Sequence, residues 1–214
     1  MGKKEQTLRS LLCAVGPVTQ GTLEQPTRDL LARSNRSVEL NRVYRDLGGI
    51  RKDVPLNRLG PWDVEFEGVA VELDEQLHFN RYRLLTLESP AYNCLQCFPL
   101  EIYREYCRRY EDRSLRAGSH GGKWTNQSCE KQFGAPNAEG DLSGNGAPRW
   151  KQRAFYDFVK DLSWQLIGVR VVRIAIWDKV EDKIGERTIE EVLAKPAPDS
   201  GMVLAALIFQ RFPR

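Results

Sequence analysis

The chain lacks any run of about 18 apolar residues, the length a membrane-crossing helix needs, so no membrane partner is expected. It also lacks a strong charge of either sign. Lys and Arg number 32 against 29 Asp and Glu, a net +3 that permits nucleic-acid binding without arguing for it. No secretory pattern opens the chain: Met1–Gln6 is charged, and Leu8–Val18 is broken by Arg9, Ser10 and Gly16. The five cysteines are an odd number, which points to a reducing cytoplasm rather than a disulfide framework. Gly-x-Ser-x-Gly and His-Glu-x-x-His are missing, and Gly118–Gly122 with Lys123 lacks the Gly-Lys-Ser/Thr of a phosphate loop.

What the chain does have is a concentration of acids in one hairpin. Trp62–Phe79 reads as two short strands and a tight turn, with Asp63 on the first and Glu72 and Asp74 on the second. Side chains alternate along a strand, so Glu72, Asp74 and Gln76 share one face while Val71, Leu73 and Leu77 take mainly the other. A hairpin brings Asp63 beside that row. Carboxylates converging on one point suit a hard divalent cation, Mg²⁺ or Mn²⁺. Taken singly, each acid is also the ordinary solvent face of a strand.

The rest of the chain reads as mixed α/β. Residues 1–35 form a helical or flexible lead-in. Ser37 is expected to cap a helix over Val38–Leu47, with Val38, Leu40, Val43, Tyr44 and Leu47 on its apolar face, closed by Gly48-Gly49. A short strand is expected near Ile50–Leu56. Arg81–Leu87 fits a strand end or a helix. A block over 88–148 holds four of the five cysteines, a helix over Leu100–Tyr110 and a Gly/Asn/Pro/Ser-rich loop from Gly134 to Pro148. Then come a helix over Arg149–Gln165, with Trp150, Phe155, Phe158, Val159 and Leu162 at helical spacing, and a β-branched run, Val169–Trp177, that reads as a strand buried on both faces. Thr188 caps a short helix, and Met202–Phe209 reads as a last strand.

Pro61-Trp62-Asp63, then Glu72-Leu73-Asp74, then His78 resembles the PD-(D/E)XK nuclease superfamily. The likeness is strongest to the branch of very-short-patch-repair-like endonucleases, in which Glu-x-Asp with a following histidine replaces Glu-x-Lys. A basic helix followed by Gly168-Val169-Arg170-Val171-Val172-Arg173-Ile174 is similar to the closing helix and strand of that branch. The resemblance implies a restriction-endonuclease-like core, α-β-β-β-α-β around a mixed central sheet. That core would be built from 36–87 and 149–214, with 88–148 a large insertion after the third strand. It implies a Mg²⁺-dependent endonuclease acting on DNA, in repair or defence.

By the same resemblance, Asp63 and Glu72 would hold the metal with the Leu73 carbonyl, and a first-helix glutamate, Glu39 before Glu24, would join them. Asp74 stands where the superfamily's lysine would be, and it could serve a second metal or orient a water. The missing base could come from His78, Lys151 or another relocated cation. Arg81, Arg83, Arg149, Lys151 and Arg153 are the candidates for contacts to the DNA backbone. Cutting both strands from one site would call for a homodimer, a larger complex or two events.

The cysteines are a second constellation. Cys94-x-x-Cys97 has a zinc-knuckle gap, and Cys107 and Cys129, with His120, could complete a structural Zn²⁺ site. Reduced buried thiols are the plainer reading. Two rivals therefore stand beside the endonuclease: a non-catalytic DNA-binding or assembly module of the same fold, and a zinc-stabilised interaction protein.

Overall fold

The computed structural model describes residues 2–54, 59–95 and 97–212. Its centre is the acidic hairpin. Glu67 and Gly68 both take left-handed φ, +51° and +75°. Two positive φ values in a two-residue loop make a turn whose twist matches that of the strands it joins. Around it, β1 (Val18–Thr19), β2 (Val64–Phe66), β3 (Val69–Asp74) and β4 (Val171–Ala175) form a four-stranded mixed sheet in that order. The first two pairings are antiparallel, and β4 runs parallel to β3. Parallel neighbours need a long crossover, and the whole segment between β3 and β4 supplies it.

The helices in chain order are α1 (Lys3–Cys13), α2 (Arg28–Arg33), α3 (Ser37–Asp46), α4 (Arg81–Leu87), α5 (Leu100–Gly118), α6 (Gly121–Trp124), α7 (Gln127–Phe133), α8 (Pro148–Asp161), α9 (Ser163–Ile167), α10 (Ile189–Ala194) and α11 (Ser200–Gln210). Helices α1 and α11 pack together beside the hairpin, Phe66 meeting Phe209 at 5.9 Å between ring centres. Helix α8 covers the polar side of β3 and β4. Pro148 starts it, where a missing N–H does no harm. Trp150, Phe155, Phe158 and Val159 are fully buried. Arg153, Asp157, Lys160 and Asp161 recur at three- and four-residue steps, the spacing that aligns side chains along one helix stripe. Helix α9 ends at Gly168, whose left-handed φ of +71° turns the chain toward β4.

Several sequence expectations change. Ser37 is the first helical residue of α3 rather than its cap, and Val38 is 79% exposed, leaving Leu40, Val43, Tyr44 and Leu47 as the buried face. No strand occupies 50–54, and the rest of that expected strand lies outside the described residues. Val18–Thr19, in the expected lead-in, supplies the edge strand instead. Arg81–Leu87 is helical, capped by the Asn80 side chain. Helix α5 runs on to Gly118. Met202–Phe209 is a helix, not a strand: a continuous apolar run fits a buried helix as well as a strand, and periodicity cannot separate them. Thr188 does cap α10, in a capping box with Glu191. An unanticipated hairpin, β5 (Lys179–Asp182) and β6 (Gly185–Thr188), precedes it.

The block between the motifs packs as part of the same core. Tyr103, Cys107, Trp124, Phe133 and Ala147 belong to one buried cluster with Val71, Leu73 and Ile174. No helix among the described residues is long and apolar enough to cross a membrane.

Candidate active site

The hairpin register determines which acids meet. Val64 faces Val71 and Glu65 faces Ala70. Continuing by one residue sets Asp63 opposite Glu72, on the face away from Val64 and Val71. An Asp63 carboxylate oxygen accepts the Leu73 backbone N–H at 2.8 Å, which fixes the acid against β3. Trp62 is anchored alongside by its indole N–H, donated to the Glu24 carbonyl.

The partner cation comes from α8. Lys160 Nζ lies 2.7 Å from Glu72 Oε1 and donates to the Pro61 carbonyl at 3.1 Å, with the Trp62 ring 5.1 Å away. Pro61, Trp62, Asp63, Glu72 and Lys160 thus converge from three segments. The charge is unbalanced: two carboxylates face one ammonium. Burial, and then the neighbouring Glu72 charge, push the Asp63 carboxyl up to about 7, against the Leu73 N–H and Lys160. Burial is the larger cause, and two carboxylates beside one ammonium add to it. A divalent cation meets that unbalanced charge with the oxygen donors it prefers, so these residues fit one.

The group opens into a cavity of about 530 Å³. Glu5, Asp63, Glu72, Glu75 and Asp157 line it with acids, and Lys123, Arg149, Arg153 and Lys160, from α6 and α8, line it with bases. Leu59, Leu77 and Tyr156 add apolar surface, and His78 also lines it. Arg153 Nη1 is buried with no hydrogen-bond partner. Arg149 donates to Gln152.

One turn along α8 the same residue types make a closed network. The Arg173 guanidinium reaches Asp74 and Asp161 at 2.7 Å and Asp157 at 3.1 Å. Asp161 also holds Arg83 at 2.7 Å and accepts from the Tyr92 hydroxyl. His78 Nδ1 lies 2.8 Å from Asp157 and 3.1 Å from Asp74. Both neighbours are acceptors, so Nδ1 carries the proton and Nε2 is the nitrogen left over. Burial opposes the imidazolium, yet Asp157 and Asp74 outweigh it and hold His78 above its usual range. Burial likewise opposes the Asp157 carboxylate, but His78 and Arg173 hold it well below the usual range.

The sequence candidates therefore divide. Asp63, Glu72, His78, Arg149 and Arg153 line the cavity. Asp74 does not: it is 1% exposed and bound to Arg173, with one carboxylate oxygen buried and unpartnered. Its expected role at a second metal gives way to one in the ion-pair network, because a guanidinium already supplies the positive charge. Asp74, His78 and Asp157 do bring ligand atoms within 4.8 Å of one another, but Arg173 sits on both acids. Arg83 is 1% exposed, so it cannot touch DNA. Arg81 is paired with Glu111. Lys151 lies outside the cavity lining, donating to Asn145 over the Tyr82 ring, its pKa lowered by burial. Glu39 is held by Arg42 and Ser89.

Cys94 and Cys97 are exposed and Cys107 and Cys129 buried, and among the described residues no three cysteines converge at ligand distance. Neither Lys160 nor Asp157 was among the sequence candidates, and Arg173 entered only within the Gly168–Ile174 strand motif. Their signals were present: an arginine inside a strand read as buried on both faces must have partners, and α8 carries a second, polar stripe.

Residues 42–195 match the model of a family of unknown function, DUF7255. The chain belongs to that family. The matched span holds every residue lining the cavity except Glu5. Glu39, β1, α1 and α11 fall outside it. No curated protein matches the chain, and no solved structure does.

Proposed function

We propose that the cavity is the active site of a metal-dependent endonuclease that hydrolyses phosphodiester bonds in DNA, and that α3, β2, β3, α8 and β4 form a restriction-endonuclease-like core. The observation that carries this reading is the meeting of Asp63, Glu72 and Lys160 in a cavity that Lys123, Arg149 and Arg153 also line. Lys160 answers the departure at Asp74: the superfamily's missing strand lysine is replaced in space by one from the helix.

Asp63 and Glu72 would hold Mg²⁺ or Mn²⁺. Bound there, the ion would polarise the phosphoryl group and lower the pKa of a water. Lys160 spends two of its three N–H bonds on Glu72 and Pro61, which leaves one for an attacking water or a phosphate oxygen. Arg153 and Arg149, on the same helix as Lys160 and lining the same cavity, orient the phosphate. His78, with Nδ1 pinned, offers Nε2 for a proton at the leaving oxygen. The test is cleavage of duplex, nicked and single-stranded DNA by the wild type, Asp63→Ala and Glu72→Ala in Mg²⁺ or Mn²⁺. The expected result is cutting by the wild type alone. DNA binding without cutting under any divalent ion would replace the enzyme with a binding module of this fold.

A further inference from the structure

Resting on that nuclease reading for its chemistry, we infer that the cavity takes a single strand, or a stretch extruded from a duplex, rather than an intact double helix. The first reason is depth. Glu72 is 4% exposed and Lys160 6%, so a scissile phosphodiester must enter the cavity to reach them. The second is size. A volume of about 530 Å³ suits a ligand of nucleotide dimensions, well within the roughly 300–1,000 Å³ of small-molecule sites. A base-paired backbone cannot enter so small a space without first separating from its partner, which costs a few kcal/mol less where pairing is already absent.

The third reason is charge. Cations and acids line the cavity together, Lys123, Arg149, Arg153 and Lys160 with Glu5, Glu75 and Asp157, so it offers phosphate contacts enough for one short stretch of backbone and not for two. Arg153 is the sharpest element. Its buried Nη1 has no protein partner and the residue lines the cavity, so a phosphate oxygen there can supply the acceptor. Tyr156 adds a ring against which an unpaired base can stack.

The test is fluorescence anisotropy in Ca²⁺, with one labelled sequence presented as a single strand, as a blunt duplex and as a duplex with an internal unpaired stretch. The single strand and the unpaired stretch should bind at least about tenfold more tightly than the blunt duplex, and Arg153→Gln should lose about tenfold in single-strand affinity. Should Arg153→Gln fail to fold by circular dichroism, the exposed Lys123→Gln paired with Arg149→Gln serves instead, with the same loss expected. Equal or tighter binding of the blunt duplex overturns the inference, as does unchanged single-strand affinity in these variants. Parallel cleavage in Mg²⁺ separates the two claims. Single-strand preference without cutting keeps this inference and removes the nuclease reading. Equal cutting of the blunt duplex keeps the nuclease reading and removes this inference.

Discussion

Two ionic clusters lie side by side between the sheet and α8, built from the same residue types. In one, Arg173 and Arg83 with His78 balance Asp74, Asp157 and Asp161, and only the His78–Asp157 edge reaches the cavity. In the other, Lys160 alone answers Asp63 and Glu72, and the group opens into a cavity. Balance and access, rather than residue type, separate the two. A balanced cluster has its charges already answered, so its buried members hold the fold together and only His78, at its edge, is left to meet a ligand. An unbalanced, open one retains affinity for a cation and for what a cation can activate. Glu72 and Asp74, two residues apart on one strand face, fall on opposite sides of that line.

The largest effect should come from breaking the balanced cluster. Arg173→Met strips three buried carboxylates of a partner, and loss of one partner from a buried ion pair costs about 3–5 kcal/mol. Chemical denaturation should show that loss, and a near-neutral result would mean the network is not the structural member of the pair. Next, Lys160→Met should lower cleavage on the order of 10²–10⁴-fold, the usual range for removing a positioned proton-handling or charge-stabilising group. Its stability should change less than that of Arg173→Met, because water in the cavity reaches Glu72.

Asp63→Asn should remove activity yet stabilise the protein above neutral pH. The folded carboxyl titrates near 7 and the unfolded one near its ordinary value, so between those limits the folded state binds more protons and stability falls as pH rises. The substitution should abolish that fall, a gain of at most about 4 kcal/mol above pH 7. Urea titrations of both proteins across pH 4–8 measure it, and parallel curves would refute the imbalance.

The smallest effect on stability belongs to His78→Gln. The raised His78 pKa contributes stability that is complete below the ordinary histidine value and lost as pH rises through the folded value. The variant should lack this acid-side component and should leave the Asp63 component intact.

How much of this could be read in the sequence follows from the same contrast. The hairpin was legible because Glu67-Gly68 and the alternation around it are local signals, and the Asp63–Glu72 pairing follows from their register. The apolar stripe of α8 was legible too. Its polar stripe was passed over, since a charged helix face ordinarily meets water, and only the packing of α8 on β3 and β4 turns Asp157 and Lys160 inward. Arg83 and Arg81 read alike as basic residues two apart. Burial makes one a strut, while the other pairs with Glu111 at the surface. Met202–Phe209 was misread because an apolar run carries no period to distinguish a helix from a strand.

The central claim is that the unbalanced cluster, not the balanced one, takes the divalent ion. Mn²⁺ titration followed by calorimetry, on the wild type, Asp63→Asn and His78→Gln, tests it most directly. The account predicts Mn²⁺ binding in the wild type, abolished by Asp63→Asn and kept in His78→Gln. Binding that survives Asp63→Asn and disappears in His78→Gln would put the ion among Asp74, His78 and Asp157 and contradict it.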